Sequence, residues 1–247
     1  MVGFGLLVAV WWAAVAIFDI QPYMLPSPPD VADAFLRTSK DMLKETGYTL
    51  IEVLLGFGLA VVVAGLIASA IRASPILNKT LYPLVLAVNS VPKVAVAPLM
   101  VMWMGYGLLP RSMLVFLICF FPIVISSATG LGATPAELIE LGRSLEATRW
   151  QTFVKIRLPS ALPQVFVGLK VAMTLAVIGA VVAEFQGGTS GGLGFLILMG
   201  SGQGNTAEAF ACITLLAIIS IALYYALVWL ERLLLPWAPS RTSQGSM

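Results

Sequence analysis

The chain has 247 residues, 59% of them hydrophobic and only 11% charged, with a formal net charge of +2. A soluble domain carries about twice that share of charge, so too little is present to cover a water-facing surface, and an integral membrane protein is expected. There is no His, which removes His-assisted nucleophiles, His metal ligands and His proton switches. The small net charge carries no nucleic-acid reading.

Six apolar segments follow one another at about 3–19, 48–71, 81–104, 112–130, 161–183 and 207–230. Each approaches the ~20 residues that cross the hydrocarbon core as a helix. In lipid the backbone must bond itself and β-barrel alternation is absent, so all six are expected to be helices. The first is short enough to be taken for a signal peptide, but no basic residues precede it, and it is read as a span. After it comes "LPSPPDVADAFLRTSKDMLKE" at 25–45. Asp30 is read as a cap, and the apolar positions Val31, Ala34, Phe35, Met42 and Leu43 favour one side, which predicts an interfacial amphipathic helix.

The third segment is interrupted by "NSVPK" at 89–93. Pro92 removes a donor and disfavours helix just before itself, and Pro98 is expected to add a second kink. The fourth and sixth segments hold Cys119 and Cys212, without metal-ligand or redox spacing, as buried packing residues. Between the fifth and sixth lies "GGTSGGLGFLILMGSGQGN" at 187–205. Its apolar centre is too short to cross, so a short re-entrant or surface helix between glycines is expected, and no Gly-Lys-Ser/Thr makes it a phosphate loop. One transmembrane domain over 1–240 and a flexible tail at 241–247 complete the organisation. With Arg72, Lys79, Arg143, Arg149, Lys155, Arg157, Arg232 and Arg241 on one side and Arg37, Lys40, Lys44 and Arg111 on the other, the positive-inside rule puts both termini in the cytoplasm.

One stretch departs from the general composition. Seven of the 26 charged residues lie between Glu137 and Arg157. "TPAE" at 134–137 reads as a capping box led by Thr134, and "TRWQ" at 148–151 repeats the device with Thr148. Leu138, Leu141, Gly142 and Leu145 share one face, and Trp150, Phe153 and Val154 another. Two short amphipathic helices joined by a turn near Glu146 and Ala147 follow, with "LP" at 158–159 ending the second. Helices this short are marginal in water and need something to pack on. Lipid headgroups and a cytoplasmic protein partner both remain open from the residues alone, and the mixed-sign charge favours the latter.

The stretch resembles the "EAA" loop of bacterial ABC-importer permeases. Glu140, Leu141 and Gly142 occupy the E-A-A positions, and Ile156, Leu158 and Pro159 match the I-x-L-P end. "LPSPPDVADAF" at 25–35, "VPKVAVAPLMVMWMG" at 91–105, "FPIVISSATG" at 121–130, "LPSALPQVFVGLKVA" at 158–172 and "VVAEF" at 181–185 resemble the sulfonate, taurine and nitrate branch. That branch also includes permeases for thiamine-precursor pyrimidines and riboflavin. The resemblance implies the type I importer permease fold, with six transmembrane helices and a cytoplasmic coupling helix pair between spans four and five. It implies coupling to an ATPase through Glu137, Glu140, Gly142, Arg143, Glu146, Thr148, Arg149, Trp150 and Phe153. Glu146 stands where the family has Gly. In a left-handed turn, Glu costs on the order of 1 kcal/mol more than Gly. Either the turn is built differently here, or a Glu146 contact offsets the cost.

Intramembrane polar residues mark the candidate pathway: Glu52, Asn89, Ser90, Lys93 and Glu184. Lys93 either meets substrate at the broken helix, snorkels, or is neutralised by a carboxylate. Glu184 gates, pairs with a lysine, or sits at the interface. Glu52 replaces a basic residue of related permeases, and Lys170 is expected to snorkel. The implied function is the permease subunit of an ATP-driven importer in the bacterial inner membrane, moving a small organic anion such as a sulfonate, taurine or nitrate, or alternatively a pyrimidine or riboflavin-type heterocycle. A homodimer, two ATPase subunits, an extracytoplasmic binding protein and membrane lipid are the implied partners. No metal or cofactor is expected in this chain, and ATP and Mg belong to the ATPase. A passive channel and an intramembrane enzyme are the competing classes.

Overall fold

The computed structural model describes residues 2–186 and 191–237. The tail at 241–247 and Arg241 lie outside the described residues, which are helical with no strand among them. Helix α1 is Val2–Ile17, and α2 runs from Pro28 to Ala73. Helix α3, Pro75–Asn89, leads through a 3-10 turn at Lys93–Val96 into α4, Ala97–Met104. Helix α5 is Leu108–Gly132 and α6 is Ala136–Ser144. The four-residue α7, Arg149–Thr152, passes through a π-helical turn at Phe153–Arg157 into α8, Leu158–Glu184. Helices α9, Leu193–Gly202, and α10, Thr206–Leu234, complete the chain.

Four continuous helical stretches are long and apolar enough to cross a membrane: α2, α5, α7 through α8, and α10. The α3–α4 pair makes a fifth span when counted as one, bent by 80° at the break. The bend falls where Pro92 withholds its donor, as the sequence pattern predicts. Helix α1, at 16 residues, reaches about 24 Å and falls short of the ~30 Å core.

Helices α2, α5 and α8 form the centre of the bundle. Their contact faces are built from Val53, Ala60, Ala64, Val115, Cys119, Ile123, Ala172, Ala176 and Ala180, all buried. Small side chains let helix backbones approach closely, which drives packing where no hydrophobic effect acts between helices in lipid. A Cβ on Gly56 of α2 would lie 2.5 Å from Val115 Cβ, and one on Gly168 of α8 would lie 2.4 Å from Ser126 Cβ. Both cysteines are fully buried, and the Cys119 thiol donates to the Ala172 carbonyl across the α5–α8 contact at 3.3 Å.

Several expectations are corrected. The amphipathic segment at 25–45 is not set apart by a loop: it forms the first part of α2, which starts at Pro28 and meets the part carrying the second apolar segment at a kink, where Thr38 leaves helical geometry (φ −106°, ψ 15°). Its cap is Ser27 rather than Asp30. Ser27 accepts from the Asp30 N–H at 3.4 Å, and the Asp30 carboxylate accepts from the Ser27 N–H at 3.1 Å. The Ser27 hydroxyl and N–H together hold the exposed Asp30 carboxyl below the ordinary carboxylate range. Pro98 opens α4 within its first two positions, so it starts a helix and kinks nothing.

Candidate functional site

The charged stretch lies at one end of the bundle. Arg72 near the end of α2 packs over Gly132 at the end of α5, and Gly130 lies against Ala161 early in α8. Helices α6 and α7 leave and return to the bundle at this end. The Thr134 capping box does not form. Helix α6 begins at Ala136 with Pro135 at its cap, so Glu137 sits one position too early to reach back. The Thr134 hydroxyl turns instead to the Leu131 carbonyl at 3.5 Å. The Thr148 box does form, with the Gln151 N–H donating to Thr148 at 3.2 Å and the Thr148 N–H donating to Gln151 at 2.9 Å.

Between the two helices Glu146 is left-handed, with φ of 53°. The Glu146 N–H donates to the Arg143 carbonyl at 3.0 Å and the Ala147 N–H to the Gly142 carbonyl at 2.9 Å. This is a Schellman closure with Glu at the position usually held by Gly. The turn is thus left-handed with Glu in it, and among the described residues no hydrogen bond or ion pair holds the exposed Glu146 side chain, so neither a different turn nor an offsetting contact accounts for it. Gly142 is buried, and a Cβ there would stand 2.9 Å from Ile156 Cδ1, so α6 packs onto the π-turn through this glycine. Leu158 and Pro159 do not end a helix. The Leu158 N–H reaches Phe153 instead of Val154, and the widened turn carries the chain directly into α8.

Glu137, Glu140, Arg143, Thr148 and Arg149 are exposed around this hairpin. So are its apolar residues: Leu138 (42%), Leu141 (55%), Leu145 (73%) and Trp150 (72%), the last stacked on half-buried Phe153 at 6.1 Å. Mixed charges surround an apolar ridge that the chain itself leaves uncovered.

At the opposite end, two residues predicted separately are brought together. Glu52 of α2 and Glu184 of α8 are both fully buried. Arg111 of α5, itself 4% exposed, donates to Glu52 Oε1 at 3.0 Å and to the Gly191 carbonyl at 2.8 Å. Thr49, one helical turn before Glu52, donates to Glu184 Oε1 at 2.7 Å and accepts from the Leu193 N–H at 3.0 Å. Glu184 also accepts from the Gly194 N–H, and Glu45 from the Gly192 N–H. Sequence reasoning placed Arg111 in an outer loop and passed over Thr49 and Glu45. The i, i+3/i+4 spacing of Glu45, Thr49 and Glu52 on one helix face was the available signal.

The remaining pathway candidates stay apart from this cluster. The Lys93 ammonium donates to the Asn89 carbonyl at 2.7 Å and to Asn89 Oδ1 at 2.9 Å, and lies 4.9 Å from the Phe121 ring centroid. Its charge is thus met by dipoles and a π-face within the broken span. The Ser90 hydroxyl returns to the Leu86 carbonyl at 3.5 Å. Lys170 does not snorkel: it pairs with Glu231 of α10 at 2.8 Å. No cluster able to hold a metal ion occurs among the described residues.

A helical membrane bundle with a broken span, a buried ionic cluster at one end and an exposed helical hairpin at the other has the build of a transporter's membrane subunit. The chain belongs to the family described as binding-protein-dependent transport system inner membrane component, whose model matches residues 60–238. It is 37% identical to the riboflavin transport system permease protein RibX of Chloroflexus aurantiacus, over 95% of this chain and 88% of that one. It is 33% identical to the formylaminopyrimidine transport permease protein ThiX of Halalkalibacterium halodurans, over 95% and 94%. Among solved structures, a chain of the inward-facing MetNI methionine ABC transporter matches with a TM-score of 0.66 at 21% identity, covering 77% of this chain and 95% of that one. The protein is an ABC-importer permease.

Proposed function

We propose that this permease moves a small organic anion, delivered by an extracytoplasmic binding protein, into the bacterial cytoplasm by alternating access. A homodimer of six-span subunits in the inner membrane does so, with α1 as the first span, α3–α4 as the third and both termini cytoplasmic. The α6–α7 hairpin docks on an ATPase subunit, which supplies ATP and Mg. The observation that carries this reading is the exposed ridge of Leu138, Leu141, Leu145 and Trp150 on a hairpin that is closed, capped and continuous with α8. A partner that moves such a rigid element moves the span with it, whereas a flexible loop would absorb the motion.

Lys93, Asn89 and Ser90 at the broken span are the residues that meet the solute, and one ammonium there favours an anion. The identities to permeases named for riboflavin and formylaminopyrimidine keep a heterocyclic substrate as the second reading. Replacing Leu141 and Trp150 by Asp together is expected to abolish recovery of an ATPase with the tagged chain. Undiminished recovery would remove the coupling assignment. Uptake in vesicles is expected to require ATP, and Lys93→Met to abolish uptake of an anionic solute while leaving ATPase recovery intact.

A further inference from the structure

The start of α9 is held in an unusual way. Three consecutive backbone N–H groups, of Gly192, Leu193 and Gly194, are donated to Glu45, Thr49 and Glu184 respectively. The N-terminus of a helix carries partial positive charge and orphan donors, so it favours anions. Here this chain's own carboxylates, from α2 and α8, take that place, and Arg111 of α5 adds a tie to the Gly191 carbonyl. Gly192 has φ of 115°, and a Cβ there would come within 2.3 Å of Glu184 Cδ. Three spans therefore grip one ten-residue helix that is itself too short to cross.

The grip is polar and incompletely satisfied. Among the described residues, Glu52 Oε2, Arg111 Nη2 and Ser112 Oγ are buried without a hydrogen-bond partner. Of the buried carboxylates, Glu52 is the one that the Arg111 guanidinium bonds among the described residues, and Glu184 is held by Thr49 and the Gly194 N–H instead. Buried polar networks are stable when every member is satisfied, and a partly satisfied one lies energetically closer to its open state. A permanent brace between helices would be better made of packed apolar residues, such as Ala60, Ala64, Val115, Ala172 and Ala176 elsewhere along α2, α5 and α8.

We propose that the Glu45–Thr49–Glu52–Arg111–Glu184 cluster is a releasable latch, which holds α9 against α2 and α8 and lets it move away during transport. The cyclic opening rests on the importer reading above; the latch itself does not. Leu193 reports on it directly, because its side chain is fully buried beside the latched backbone. The test uses Leu193→Cys in the full-length chain in membranes, labelled by a membrane-impermeant maleimide, with exposed Ser201→Cys as the reference. The native Cys119 and Cys212 are buried and give little background. Thr49→Val and Glu184→Gln are expected to raise Leu193→Cys labelling roughly tenfold with Ser201→Cys labelling unchanged. Should either variant fail to accumulate, Glu45→Gln at the half-buried rim asks the same question. An unchanged Leu193→Cys rate in the latch variants would make the cluster a fixed brace and overturn the proposal. In the assembled importer, ATP and binding protein are expected to raise the rate in the unmodified background. Variants that release Leu193 without any ATP response would keep the latch and overturn its place in the transport cycle.

Discussion

Glu146 and Arg111 each carry a local energetic cost that can be measured. Glu146 adopts φ of 53° without a compensating side-chain bond among the described residues, so its conformation is maintained by the two Schellman hydrogen bonds alone. Glu146→Gly is expected to relieve on the order of 1 kcal/mol. Hydrogen exchange at the Ala147 amide should slow by about fivefold, the factor corresponding to that energy. Faster exchange would mean that the added chain freedom outweighs the strain. Arg111 is the second such residue. Removing it leaves Glu52 buried and unpaired, which typically costs about 3–5 kcal/mol. Arg111→Met should therefore lower the unfolding temperature in detergent sharply, and adding Glu52→Leu should restore much of the loss. An additive double variant would mean that the 3.0 Å pair is not the coupling that matters.

At the scale of helices, the contacts that set spacing are glycine contacts, and they divide α2 into two faces. Gly56 lies against Val115 and the Ser112 carbonyl, whereas a Cβ at Gly58 would meet nothing within 4 Å. Gly56→Ala is expected to destabilise the bundle by about 1–3 kcal/mol through overpacking. Gly58→Ala should be neutral or stabilising, by up to about 1 kcal/mol of helix propensity. Equal effects on thermal unfolding would contradict the α2–α5 packing. Elements differ in how far local sequence reveals them. The break at Asn89–Pro92, the Thr148 cap and the short helix after the glycines follow from rules that act within one turn. That no loop separates the two parts of α2 was hidden because polarity changes at 36–47 while helix propensity does not. The Thr134 box failed because Pro135 took the cap position and shifted Glu137 out of reach. Arg111 looked like a loop charge because Glu52 is 59 positions away, and no local pattern encodes such a pair.

Across the whole molecule, the hairpin and the ionic cluster lie at two ends of the bundle. The α6–α7 hairpin is at one end, where α2 and α5 finish and α8 begins. The ionic cluster is at the other, where α2 passes residues 45–52, α5 begins and α8 finishes. Beyond the cluster, α2 extends outward towards Pro28, and a cleft of about 610 Å³ opens between its first turns, Tyr23 and the α9–α10 turn. The Thr206 hydroxyl ties this region together by donating to the Tyr23 carbonyl at 2.7 Å. The arrangement makes a sided prediction. In sealed right-side-out vesicles, Gln203→Cys in the α9–α10 turn should react with a membrane-impermeant maleimide, and Trp150→Cys should react only after permeabilisation. Both positions are exposed on the isolated chain, so in vesicles stripped of the ATPase the membrane alone creates the difference. Reaction of Trp150→Cys alone would invert the orientation. Reaction of both from one side would mean that the hairpin and the cluster are not separated by the bilayer, and alternating access between these ends would be lost with it.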